Sequence, residues 1–293
     1  MKRSQFAVLA LAALVAGAIA TAATDAVAQT GGAGPATASA PFERYGAIER
    51  FRIASQATGK TYTVQIWRPA SYAPDARAYP ALFLLDGDYA FDAAVALSSY
   101  MQRGEIKEHI IVGVSSDVPF GPPLAAVRTP DFTPPTKDGL MTRDTPAPYY
   151  RFLRDELLPQ IKAKVRIEPN EMTLWSYSLS GSFVAWLNGH DHTLFRNYVA
   201  ASPNWTQFGI LQRIQEGAVF NAPGADHKLF LSFDGPTEMP GNPDPDGYLR
   251  GFVNAGIPGY KVEYALTKGE THTTSWFATL PAALRFIFGT AKP

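Results

Sequence analysis

Two short runs without a polar face, Ala81–Leu85 and His109–Val114, flank a stretch of helical periodicity at Phe91–Met101. A strand apolar on both sides must be covered on both sides, which is the situation of a parallel sheet sandwiched between helices. The rest of the chain repeats that alternation. Tyr149–Val165 carries a helical stripe of Phe152, Leu153, Leu157, Leu158 and Ile161, and Met172–Tyr177 is strand-like. Ser182–Leu187 is helical, Tyr198–Ala201 a strand and Gln207–Glu216 a helix. Leu229–Phe233 and Val262–Leu266 are strands on either side of a helix around Tyr248–Asn254, and Ser275–Phe288 is the last helix. Before them, Glu49–Ala54 and Thr61–Trp67 alternate apolar and polar residues about Thr58-Gly59, an antiparallel hairpin. Ser115–Pro148 holds eight of the 24 prolines and reads as a long loop of the functional kind. The class is α/β, a mostly parallel central sheet with helices on both faces. Residues 42–293 show no repeat and no shift in composition, so a single domain is expected.

The first 41 residues read differently. Lys2 and Arg3 precede an apolar run, Phe6 to Ala20, which leads to Ala26-Val27-Ala28. That is the order of a secretory signal, residues 1–28, too short and too rich in Gly and Ala to span a bilayer. Gln29 to Pro41 is small, polar and aperiodic, a disordered linker. The expectation is an exported, periplasmic or secreted protein with no stable membrane anchor after signal cleavage. Removing residues 1–28 takes away Lys2, Arg3 and Asp25 and leaves 24 basic against 25 acidic side chains. A balance so close to neutral lacks the basic excess of a nucleic-acid surface. The chain has no cysteine, which excludes disulfides, Cys-based zinc sites and thiol nucleophiles. The chemistry must therefore come from hydroxyls, His and carboxylates.

Trp175-Ser176-Tyr177-Ser178-Leu179-Ser180-Gly181 joins a predicted strand to a predicted helix. An α/β-hydrolase places its nucleophile elbow, usually G-x-S-x-G, in that context. Here serines stand at both glycine positions. Ser178 is the preferred nucleophile because Tyr177 is the last strand-like residue and Gly181 then eases the helix against the sheet; Ser180 is the alternative. An acid and a histidine follow in the order Ser, acid, His. His272, in Lys268-Gly269-Glu270-Thr271-His272, comes after the last strand, where an imidazole can reach the elbow. The acid belongs just past Leu229–Phe233, where Asp234 and Glu238 both qualify. His190-Asp191-His192 has poor spacing for a metal, and neither metal nor cofactor is expected.

With these residues assembled, the chain resembles the Putative esterase family of α/β-hydrolases, which includes the enterobactin-type siderophore esterases. The resemblance runs over roughly residues 45–290. Phe83-Leu84-Leu85-Asp86-Gly87-Asp88-Tyr89-Ala90-Phe91 looks like the family's "LLDG…F" strand and oxyanion loop. Asp131-Phe132-Thr133-Pro134, with Arg128 upstream, looks like its D-[YF]-T-P element. Phe152 to Ile161 is similar to the helix before the nucleophile strand, and Ser178-Leu179-Ser180-Gly181 to S-L-G-G. Ser202-Pro203 and Gly269-Glu270-Thr271-His272 complete six segments in register.

The resemblance implies Ser178 as nucleophile and His272 as general base, and it favours Glu238 as the acid while allowing a Ser-His dyad. It departs from the family pattern in Ser176-Tyr177-Ser178, where G-H-S is usual, and in Ser180. The expected chemistry is acyl transfer from a small-molecule ester to Ser178, followed by hydrolysis. The oxyanion donors would be the backbone N–H of Leu179 and one from the Gly87–Asp88 turn. Arg128 is a candidate for holding an anionic or catechol-rich substrate, with Tyr89, Phe132 and Trp205 stacking on it. An acyltransferase on the same machinery, and a silent binding protein on the same scaffold, are the competing readings.

Overall fold

A computed structural model of the chain describes residues 45–134 other than 117 and 120, then 146–204, 226–234 and 244–290. The signal segment 1–28, the linker 29–41 and the helix expected over Gln207–Glu216 lie outside the described residues.

Strands β1 (Gly46–Ala54) and β2 (Thr61–Pro69) form the expected antiparallel hairpin. β3 (Tyr79–Leu85) leads into α1 (Gly87–Met101), and β4 (Ile110–Ser115) into α2 (Pro122–Phe132). A helical run follows as α3 (Ala147–Arg151), a π-helical segment (Phe152–Leu157) and α4 (Leu158–Lys164). Then come β5 (Ile167–Tyr177), α5 (Leu179–His190), β6 (Asn197–Ala201) and β7 (His227–Phe233). α6 (Pro245–Ala255), β8 (Tyr260–Leu266) and α7 (His272–Phe288) complete the series. The eight strands make one sheet in the order β1-β2-β4-β3-β5-β6-β7-β8. β2 runs antiparallel to β1 and β4, and every other pairing is parallel.

Every residue of β3, β4 and β6 is buried, as a sheet with two covered faces requires. Successive side chains feed opposite cores. Phe83, Leu85, Val112, Val114 and Leu174 pack with Phe132, Tyr149, Phe152, Phe183, Leu249 and Phe252 from the helices on one side. Leu82, Leu84, Ile111 and Trp175 pack with Phe91 and Val95 of α1 and Trp276, Leu280 and Leu284 of α7 on the other.

The proline-rich stretch is not all loop, because α2 occupies its middle. Pro122 and Pro123 sit in the first turn, where an N–H has no intrahelical acceptor to lose, so only Pro130 interrupts the ladder. Two ion pairs hold α2 in place. The Lys60 ammonium lies 2.6 Å from Asp131 Oδ1, and the Tyr62 hydroxyl donates to Asp131 Oδ2 at 2.9 Å, tying the helix to the hairpin. Arg128, one turn earlier, grips Asp86 at the end of β3.

His109 is fully buried just before β4, at the end of the strands remote from Ser178. Its ring stacks on Phe288 at 4.3 Å, with Nε2 3.1 Å from Ser98 Oγ and Nδ1 3.0 Å from the Lys107 carbonyl. Desolvation pushes its pKa down to about 4, against a smaller opposing pull from the Lys107 carbonyl. Among the described residues no helix is long and apolar enough to cross a membrane.

Candidate active site

Strand β5 ends at Tyr177 and α5 begins at Leu179, which leaves a single residue, Ser178, to make the turn. It does so at φ 61° and ψ −128°, a region that side chains rarely occupy. The turn is held by Ser178 N–H donating to the Ala201 carbonyl and Ser182 N–H to the Ser178 carbonyl, both at 2.9 Å. Gly181 permits the close approach that follows. A Cβ there would sit 2.7 Å from the Ala201 carbonyl oxygen and 3.2 Å from that of Ser176.

The turn lifts Ser178 Oγ toward His272, whose Nε2 lies 3.0 Å away. Behind the ring, His272 Nδ1 is 3.4 Å from Oδ2 of Asp234, a carboxylate only 3% exposed. The sequence therefore brings together the expected nucleophile and base, and of the two candidate acids Asp234 stands in line with them. Glu238 lies outside the described residues. His272 opens α7 under a reciprocal Thr271–Thr274 capping box. Its carbonyl accepts from the Tyr177 hydroxyl and, at 3.2 Å, from Ser275 Oγ, which is also paired with Ser202 Oγ at 2.9 Å.

In the sequence Tyr177 marks the end of the strand and a departure from the usual histidine of the elbow. It is the residue that joins the nucleophile strand to the histidine's own backbone, its ring 4.9 Å from the imidazole.

Leu179 and the Gly87–Asp88 turn each lie in the first turn of a helix, where backbone N–H groups have no intrahelical acceptor. The two helices leave adjacent strands, β3 and β5, which are paired at Leu84 and Trp175. Gly87 must be glycine because a Cβ would meet Ser115 Oγ at 2.9 Å and Val114 N at 3.0 Å.

The residues expected to bind substrate fare differently. Phe132 is 2% exposed, its ring 4.8 Å from Tyr149 and 5.8 Å from Phe183, so it is a core residue and cannot stack on a ligand. Arg128 also departs from expectation. Its Nε and Nη2 donate to the two oxygens of Asp86 at 2.8 and 2.7 Å, so its charge is compensated inside the protein. Burial works against that charge, and the Asp86 carboxylate outweighs it, leaving the guanidinium pKa raised. Half-buried Tyr89 donates to Asp86 Oδ2 at 3.0 Å and packs edge-on to Trp276 at 5.9 Å. Trp205 lies outside the described residues. Among the described residues no cluster of His, Asp and Glu is arranged to hold a metal.

Residues 55–228, more than half of the chain, match the family model described as Putative esterase. The chain belongs to the Putative esterase family. In this Putative esterase the matched region contains Ser178 and stops short of Asp234 and His272. Ferri-bacillibactin esterase BesA of Bacillus subtilis (strain 168) is 26% identical over 175 residues, 55% of this chain. That match spans 60% of the relative's length, less than two thirds. The BES protein from Bacillus cereus superposes with a TM-score of 0.71 at 23% identity, covering 83% of this chain and 95% of that one. Siderophore hydrolase EstB from Aspergillus nidulans gives 0.67 at 20% identity, covering 87% and 97%. Together with the strand order, these likenesses identify the fold of this Putative esterase as that of the α/β-hydrolases.

Proposed function

We propose that the protein is a serine carboxylic ester hydrolase acting on a small-molecule ester of the siderophore type. The observation that carries this reading is the 3.0 Å approach of His272 Nε2 to Ser178 Oγ on a strained elbow. His272 takes the hydroxyl proton as Ser178 attacks the ester carbonyl, and Asp234 stabilises the imidazolium that forms. The N–H groups of Leu179 and of the Gly87–Asp88 turn receive the oxyanion, each such donor being worth roughly 10²–10³ in rate. Collapse of the tetrahedral intermediate expels the alcohol, which takes the proton from His272. Water then repeats the sequence on the acyl-enzyme and frees the acid.

The substrate class rests on the names of the relatives, a ferri-bacillibactin esterase and a siderophore hydrolase. Export rests on the N-terminal pattern of residues 1–28. Reaction with a fluorophosphonate followed by peptide mapping is expected to place one adduct on Ser178. A panel of short-chain, aryl, feruloyl and catecholate macrolactone esters is expected to show fastest turnover of the macrolactone. No adduct, or an adduct elsewhere, refutes the mechanism, and transesterified product with an added alcohol redirects it to acyl transfer.

A further inference from the structure

The two serines at the usual glycine positions of the elbow are fully buried, and Ser176 Oγ donates to Ser180 Oγ at 2.6 Å. The Ser180 hydroxyl in turn donates to Oδ2 of Asp86, with the Tyr177 carbonyl as a second acceptor at 2.8 Å. Asp86 is itself unusual. It is the N-cap of α1, held at φ 54° and ψ 43°, yet its side chain makes no capping bond to its own helix. Asp244 shows the ordinary alternative, accepting from Gly247 N–H at 2.9 Å at the start of α6. The 2%-exposed Asp86 instead receives Ser180, Tyr89 and Arg128.

Ser180 is the residue after Leu179, and Asp86 is the residue before Gly87. Their hydrogen bond therefore joins the immediate neighbours of the two backbone donors assigned to the oxyanion. Such donors act only when both converge at about 2.7–3.1 Å on one point, and misplacement by about 1 Å can cost roughly 10²-fold. We infer that Ser176 and Ser180 are positioning residues: through Asp86, itself fixed by Arg128, they set the spacing between the α5 and α1 halves of the oxyanion site. This rests on the ester-hydrolase reading above. Glycine at these positions would leave the Asp86 carboxylate without its link to α5, and alanine would fill the space without the bond.

The test measures p-nitrophenyl acetate hydrolysis with kcat counted per Ser178 titrated by a fluorophosphonate, so that loss of folded protein does not imitate the effect. Ser180→Ala is expected to lower kcat about tenfold to a hundredfold with KM within about twofold, and to slow fluorophosphonate labelling by a similar factor. Ser176→Gly/Ser180→Gly, which restores the usual elbow residues, is expected to lose as much; it carries the test if Ser180→Ala does not fold. A kcat per site within about twofold of wild type in either folded variant overturns the positioning role. A wild-type protein that neither labels nor turns over overturns the hydrolase reading, and this inference with it.

Discussion

At Ser178 the backbone is held at φ 61° and ψ −128° because strand, helix and the Ala201 carbonyl leave the turn no other path. A non-glycine residue in such a region costs about 1–3 kcal/mol, and glycine's extra chain entropy returns about 0.5–1 kcal/mol of that. Ser178→Gly is thus expected to abolish activity while raising stability by about 1 kcal/mol, read as a Tm increase of roughly 2–4 °C in a chain of this size. An unchanged or lower Tm would count against strain at the elbow. Ser178 and His272 were legible in the sequence because each sits in a short motif at a fixed place between a strand and a helix. The residues alone left Asp234 and Glu238 open, because both follow the same strand, and the resemblance favoured Glu238, which lies outside the described residues; it is Asp234 whose carboxylate stands behind His272. In the sequence Arg128 and Phe132 are substrate-binding candidates in a stretch that reads as a functional loop, while their burial is decided by Asp86, Tyr149 and Phe183, distant in sequence. Asp86 carried no sequence signal of its role beyond the family motif containing it.

Strands were the easiest elements to read. A run such as Ala81–Leu85 has no polar face, and β3 is buried throughout. The α2 helix was missed because eight prolines over Ser115–Pro148 argue for loop, although two of them sit where a helix tolerates them best. Besides the buried Leu124 and Phe132, what keeps α2 in place is pairing that composition does not reveal. Arg128→Ala leaves the Asp86 carboxylate, 1% exposed, without its ion partner. Breaking a buried pair in this way costs about 3–5 kcal/mol, and the partial exposure of Arg128 points to the lower end. Urea denaturation is expected to show a loss of about 3 kcal/mol, with Asp86→Ala/Arg128→Ala losing less than the two single variants summed. Additive losses would mean that the pair is not coupled.

Across the whole molecule, alternation of strand and helix announced a parallel sheet but not its order, since crossovers that skip a strand leave no mark in local pattern. Nor did it show how His109 would be buried. An imidazole with a pKa of about 4 when folded and an ordinary value near 6.5 when unfolded binds its proton first in the unfolded chain. Its contribution is whole above about pH 6.5, falls as the pH drops toward 4 and is flat below that, on the order of 3 kcal/mol in all. Urea midpoints at pH 7 and pH 4.5 are expected to differ more in wild type than in His109→Gln; equal differences would remove His109 as a source. The double fastening of α2 bears on heat. Asp131, whose carboxyl burial raises and Lys60 opposes, stands one turn beyond Arg128 near the C-terminal end of that helix, on the side that meets the hairpin. Lys60→Met removes the ion partner of Asp131 and leaves the Tyr62 bond and the Arg128–Asp86 pair in place, so the half-life of catalysis at elevated temperature should shorten before the melting temperature moves appreciably. Durability of the protein under heat would then depend in part on a lysine at the turn of an edge hairpin, away from the residues proposed to perform the reaction.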